Sequence, residues 1–334
     1  MTSNIIKEWH NVDANIFNSE IVPLNKPAVI RGLVNHWPSV QHAKKSDQAI
    51  VDYLNQFNQD KAVAILLAPP SIGGNFTYQE DLKSYNFKRE NHPLKSVLQS
   101  LLELSNVEKP NAIAAQGLSL DEHFTGFNSN NQQNLINKTE DAKIWIGNRT
   151  TTTTHYDHID NLACAVAGKR RFTLFPPEQI SNLYMGPLLA TPAGPPISMV
   201  ELKNPDLRRY PKFQKALDSS ASIVLEAGDA IFIPYMWFHN VESLDPFNAL
   251  VNYWWSASQH SASVPYQAML FSMLDIPELP IEQRKIWKEF FDYYVFQLDG
   301  KPADHLPDDL EDIISSLPSE KKDKLKKMIL AGGV

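Results

Sequence analysis

Two short stretches constrain this chain more than anything else in it. Residues 150–154 are five threonines in a row, and they run directly into His155, Tyr156 and Asp157. The second stretch is Gly228-Asp229-Ala230-Ile231-Phe232-Ile233-Pro234, followed at once by Trp237-Phe238-His239. Both are rich in β-branched and aromatic residues, which favour strands. In a strand, residues i and i+2 point to one face. His155 and Asp157 are thus expected to offer an imidazole and a carboxylate to one point in space. A barrel that returns a later strand beside an earlier one brings His239 to the same point. Two histidines and one carboxylate on one side of a metal leave its other positions open, the facial set of non-haem Fe(II) sites that activate oxygen. A lone His-x-Asp is common on surfaces and in cores, so the second stretch is what makes the pattern a site. Residues 223–226, the turn 227–229 and residues 230–234 read as a β-hairpin that ends just before His239.

The strand texture runs from about residue 143 to 255 and is interrupted at 176–220. That interruption is rich in proline and carries Arg208, Arg209 and Tyr210. So long a loop inside a compact domain is unusual and often functional; the plain alternative is a surface excursion. Before it, 27–33, 62–67 and 112–116 read as strands. Residues 46–57 and 93–104 read as helices with apolar stripes, the second with Pro93 near its first turn. Residues 127–140, rich in Asn and Gln, read as loop. From about residue 263 the texture turns helical: 280–298, 307–317 and 318–330, the first with Trp287, Phe290, Phe291, Tyr294 and Leu298 at helical spacing. These features predict a mainly β domain over 1–262, with core strands at about 143–255, and an appended helical unit over 263–334.

Composition then excludes several classes. The 334 residues are 43% hydrophobic and 21% charged, which suits a large core with an appended unit. A net charge of −7 argues against broad nucleic-acid binding. The single cysteine, Cys164, forbids an intramolecular disulfide and fits a reducing compartment. No apolar run reaches the length of a membrane span, and the first residues lack the apolar stretch of a signal peptide. A cytoplasmic location without membrane attachment is expected.

The motifs resemble the cupin-like Jumonji C family of 2-oxoglutarate oxygenases, and within it the branch of protein asparaginyl hydroxylases. The resemblance is carried by His155-Tyr156-Asp157, Asn161 and Arg171-Phe172-Thr173-Leu174-Phe175-Pro176-Pro177. It continues in the 228–234 stretch, in Trp237-Phe238-His239-Asn240 and in Asn252-Tyr253-Trp254-Trp255. It implies a double-stranded β-helix, or jelly roll, with a C-terminal helical unit that pairs two chains into a homodimer. It implies Fe(II), 2-oxoglutarate and O2. Residue by residue, His155, Asp157 and His239 match the iron ligands, and Thr152 matches a threonine that hydrogen-bonds the cosubstrate. Asn161 and Asn252 match asparagines at the cosubstrate and iron site, and Trp254 matches an aromatic wall. There are two departures. Arg170 stands where the family has a lysine for the far carboxylate of 2-oxoglutarate. A tyrosine that supports this carboxylate has no counterpart among Ile113, Ala114, Ala115 and Gln116.

The residues support part of this independently. Alternation puts Arg170 on the apolar face with Phe172 and Leu174, and a buried guanidinium needs an anion. Its planar fork fits a carboxylate; the alternative is an internal Asp or Glu. Asn248, Leu250, Asn252 and Trp254 share a face, and two amides there suit a ligand or its support. Thr152 and Thr154 are candidate pocket residues, and His158 faces away from His155. The sequence reading is therefore an Fe(II)- and 2-oxoglutarate-dependent dioxygenase acting on a protein or peptide side chain. Demethylation, a small-molecule hydroxylase on the same fold and a non-catalytic metal-binding cupin are the alternatives.

Overall fold

A computed structural model describes residues 5–136, 141–192, 194–256, 263–307, 312–313 and 317–330. The chain divides into two compact units, 1–262 and 263–334. The first contains fourteen strands among its described residues. In chain order they are β1 (Lys7–His10), β2 (Ala28–Arg31), β3 (Ala62–Ala68), β4 (Asn75–Phe76), β5 (Lys88–Pro93), β6 (Ala112–Ser119) and β7 (Lys143–Gly147). They continue with β8 (Thr151–His155), β9 (Asp160–Ala167), β10 (Arg170–Phe175), β11 (Ala221–Leu225), β12 (Ala230–Ile233), β13 (Phe238–Ser243) and β14 (Asn248–Trp255).

They form two sheets. The larger has the order β1-β2-β12-β9-β14-β7-β6-β3-β5, and the smaller β11-β10-β13-β8-β4. From β7 to β14 the chain changes sheet at every step except β10 to β11, as in a jelly roll. Strand alternation sorts the side chains into two cores. Ala163, Ala165, Ile231, Ile233 and Leu250 of the large sheet meet Phe172, Leu174, Leu225 and Val241 of the small one inside the sandwich. Leu162, Cys164, Val166, Phe232 and Val251 point the other way and form the larger core. That core is covered by the helices Asp47–Asn55 and Leu94–Leu104, which contribute Ile50, Leu54, Leu94, Leu98 and Leu101. Ser46 caps the first by accepting a hydrogen bond from the Ala49 amide at 3.1 Å. Cys164 is fully buried, and loss of solvation pushes its thiol well above the usual range.

The expected hairpin at 223–234 is not one. β11 pairs with β10, whereas β12 pairs with β2 and β9 in the opposite sheet. The turn itself is real: the Asp229 amide donates to the Glu226 carbonyl at 3.0 Å, and the Glu226 amide donates to Asp229 Oδ2 at 3.1 Å. It carries the chain from one sheet to the other. Gly228 is obligatory there, because its φ is +109° and a Cβ would collide with Asn35.

The 176–220 interruption is ordered over its described residues. It holds a 3-10 turn (Pro177–Asn182) and a helix (Phe213–Ser219). A satellite core of Leu183, Val200, Phe213 and Ala216 packs against Tyr156, Phe175 and Phe238. The reach Ala190 to Pro192 is held by Tyr78, Tyr85 and Arg89, which donate to its three carbonyls at 2.5, 2.9 and 2.6 Å. The 127–140 stretch differs slightly from expectation, with a short helix at Phe127–Asn130.

In the second unit, helices span Ser263–Asp275, Ile281–Phe291 and Ser319–Leu330, and a π-helical turn at Asp292–Phe296 continues the second. Most of the expected 307–317 helix lies outside the described residues. No described helix is long and apolar enough to cross a membrane.

Candidate metal centre and its cavity

His155 ends β8 and His239 lies second in β13, directly opposite in the pairing register. Asp157 stands beyond the end of β8. Its position is set by its own carbonyl, which accepts from the Met236 amide at 3.0 Å. One donor atom from each of His155, Asp157 and His239 lies within 4.8 Å of the others. The two imidazole rings are 4.2 Å apart between centroids, and His239 Nε2 is 3.8 Å from Asp157 Oδ2.

Each ring is held the same way. His155 Nδ1 bonds the Thr153 carbonyl at 2.9 Å, and His239 Nδ1 bonds the Trp237 carbonyl at 3.0 Å. A carbonyl only accepts, so Nδ1 carries the proton and Nε2 keeps its lone pair for a metal. Burial, with His239 beside it, pushes His155 down to about 4, so its imidazole is neutral at neutral pH. Asn161 Nδ2 donates to Asp157 Oδ2 at 3.1 Å, and Asn252 Nδ2 donates to Asn161 Oδ1 at 2.7 Å. This relay fixes the carboxylate from the opposite sheet. Two imidazoles held through Nδ1 and a carboxylate braced in this manner fit a divalent first-row metal such as Fe(II).

The centre opens into a cavity of about 180 Å³. The metal-ligand and cosubstrate candidates all line it: Thr152, His155, Asp157, Asn161, Arg170, His239, Asn252 and Trp254. Register explains the arrangement. Opposite His239 lies His155 on β8 and Leu174 on β10; opposite Val241 lie Thr152 and Phe172; opposite Ser243 lies Arg170. Thr152 is therefore one inward step deeper than the histidines and Arg170 two steps deeper, each step roughly 7 Å along the strand. Thr152 and His155 are three residues apart yet share the cavity. A β-bulge between His239 and Val241 supplies the extra residue and re-aims His155. Thr154, grouped with Thr152 in the sequence reading, does not line the cavity. Nor does Asn248, whose amide donates to the Asp245 carbonyl at 2.5 Å.

Arg170 is 6% exposed, and among the described residues it has no acidic partner within salt-bridge reach. Nη2 donates to the Trp145 carbonyl at 3.1 Å, while the buried Nε finds no partner. Desolvation pushes its pKa down to about 9, so it remains a cation at neutral pH. The internal salt bridge that was the alternative explanation is absent among the described residues. Trp145 and Pro195 are among the lining residues that escaped the sequence reading. Trp145 was legible from alternation in β7, where Ile144 and Ile146 enter the outer core and Trp145 the inner face. Pro195 comes from the interruption and carries no such signal.

A double-stranded β-helix with this donor set at one end of its cavity is a cupin of the Jumonji C type. The chain belongs to the cupin-like domain family, whose profile matches residues 13–261. Jumonji C members generally use Fe(II) and 2-oxoglutarate. The chain is 27% identical over 289 residues to the lysine-specific demethylase JMJ31 of Arabidopsis thaliana, covering 77% of this chain and 51% of that protein. It is thus matched to about half the length of that relative. It is 30% identical over 271 residues to human tRNA wybutosine-synthesizing protein 5, covering 75% of this chain and 77% of that one. A rat relative, HSPB1-associated protein 1, is 37% identical over 117 residues, 34% of this chain and 24% of that protein.

Proposed function

We propose that this protein is an Fe(II)- and 2-oxoglutarate-dependent oxygenase that hydroxylates a C–H bond of a protein side chain. The observation that carries the reading is Arg170: a buried guanidinium with no acidic partner among the described residues, in the same cavity as His155, Asp157 and His239. A buried cation without an anion is costly, and a diacid cosubstrate supplies the missing charge. Iron held by the three ligands would supply oxygen activation, with 2-oxoglutarate, O2 and R–H giving succinate, CO2 and R–OH.

The chain's own residues do the rest. Arg170 binds and orients the far carboxylate, and Thr152 lies between it and the metal ligands. Asn161 and Asn252 hold Asp157 in place. Phe172, Ile233, Val241 and Leu250 make the walls apolar and exclude water. The substrate class is favoured by the net charge of −7, which disfavours a nucleic-acid surface. Demethylation would use the same residues on an N-methyl carbon. The test is succinate release from 2-oxoglutarate, combined with a mass-spectrometric search for one added oxygen atom in cellular proteins. Active protein is compared with Asp157→Ala. Equal decarboxylation by both would refute the assignment, and oxygen appearing only in tRNA would redirect the substrate class.

The second unit supports a further part of this reading, self-association into a homodimer. Trp287, Phe290 and Tyr294 form a continuous aromatic contact along one helix and remain about half exposed. A second copy of the chain is always available to cover such a face, and two-fold pairing is the commonest solution. Light scattering should give twice the chain mass at micromolar concentration, and Phe290→Asp should reduce it.

A further inference from the structure

The deep end of the cavity contains a second unused donor besides Arg170. Trp145 Nε1 is buried, lines the same cavity and has no partner among the described residues. Its place is fixed on three sides. β7 pairs Trp145 with Leu250 on β14, its ring meets Trp254 edge-on at 6.4 Å, and its carbonyl accepts from Arg170 Nη2 at 3.1 Å. That last bond ties the guanidinium to the main chain of Trp145 itself. These two orphaned N–H groups therefore lie together, away from the metal ligands; a third, Trp254 Nε1, sits on the strand position opposite Asn161.

We propose that Trp145 and Arg170 form one clamp, in which the indole N–H and the guanidinium together grip the far carboxylate of the cosubstrate. This rests on the reading of the cavity as a 2-oxoglutarate site and names a positioning residue within it. Three arguments lead there. A buried indole N–H without a partner is costly, and so is a buried guanidinium N–H; one carboxylate has enough lone pairs to satisfy both. The Nη2 bond to the Trp145 carbonyl anchors the guanidinium beside Trp145 and leaves Nε as its buried, unused donor. Finally, β6 offers no hydroxyl at 113–116, where Ile113, Ala114 and Ala115 are buried apolar residues, and Thr152 on β8 lies a step nearer the metal, so a donor beside Arg170 comes from another strand. Trp145, on the strand hydrogen-bonded to β6, is placed to provide it.

The clamp predicts selection for a second carboxylate rather than for a 2-oxo acid in general. The experiment titrates two ligands into Mn(II)-loaded protein by calorimetry, without oxygen. One is 2-oxoglutarate; the other is 2-oxopentanoate, which has the same carbon chain but lacks the terminal acid. Trp145→Phe should weaken 2-oxoglutarate about tenfold or more, as expected for losing a hydrogen bond to a charged group. Binding of 2-oxopentanoate should stay within about twofold, since it makes no such bond. Replacing Trp145 by benzothienylalanine, which keeps the ring shape and removes only the N–H, should reproduce the effect and guards against a packing artefact. Equal weakening of both ligands, or unchanged 2-oxoglutarate affinity in the benzothienyl variant, would overturn the clamp while leaving the cosubstrate reading intact. Failure of the unaltered protein to bind 2-oxoglutarate would overturn both.

Discussion

The two ends of the cavity are built on opposite principles. At the metal end the ligands and their braces are already paired: each imidazole to a carbonyl, Asp157 to Asn161, and Asn161 to Asn252, with Trp254 Nε1 and Asn252 Oδ1 left over. At the deep end the binding groups themselves, Arg170 Nε and Trp145 Nε1, have no partners among the described residues. The first end is preorganised to receive an ion without moving. The second is left incomplete, and its cost is recovered only when an anion arrives. The difference teaches that metal affinity and cosubstrate affinity can be altered separately here, because different strands and different bonds support them.

The largest expected effect is at the metal end. Asp157→Ala removes the only carboxylate of the set and should cost more than about a hundredfold in metal affinity, above the range for outer partners. Turnover should be lost while circular dichroism stays the same; retention of tight Mn(II) or Fe(II) binding would break the comparison at its root. Next, Asn161→Ala should weaken metal binding by about 10–100-fold, since Asn161 only braces Asp157. A change confined to 2-oxoglutarate binding would show that the two ends are not independent.

At the deep end, Arg170→Ala should raise the 2-oxoglutarate requirement about tenfold or more and leave metal affinity unchanged. Arg170→Lys should recover part of the loss. An effect on stability, with no ligand present, sharpens the contrast most. Arg170→Met should stabilise the ligand-free protein, on the order of 1–4 kcal/mol or several degrees in Tm, because it removes an unpaired buried charge. The sign with pH follows from the downward shift. Below about 9 both folded and unfolded chains carry the charge and the full burial cost applies. Between there and the ordinary guanidinium range, the unfolded chain holds a proton that the folded one has released. Stability of the parent then rises with pH, and the advantage of Arg170→Met shrinks. An advantage that grows above pH 9 in chemical denaturation would refute this account.

Much of this was legible in the sequence, because a strand period of two sorts residues into faces. Arg170 with Phe172 and Leu174, and Asn252 with Leu250 and Trp254, came out as alternation dictates. The rest failed where regular alternation fails. The bulge on β8 puts Thr152 and His155 on one face at odd spacing and leaves Thr154 out. Asp157 reaches the site from beyond the strand end, not as the next inward residue of a strand. The turn around Gly228 has the residues of a hairpin, and nothing local says that the strands on either side join different sheets. That choice is made by distant partners, β10 on one side and β2 and β9 on the other. Pro195 was hidden for a related reason: the interruption is held by side chains of Tyr78, Tyr85 and Arg89, more than a hundred residues earlier in the chain.

Cys164 gives the fold an internal clock. It is the only thiol in the chain, it sits mid-strand in β9, and it is shielded by solvent exclusion as well as by a suppressed thiolate. A thiol-specific reagent can therefore label this protein only while the large core that packs on β9 is open. The same strand carries Asn161, the brace of the metal carboxylate. The labelling half-life consequently counts openings of the strand that joins the sandwich to its metal centre, with no reporter group to engineer.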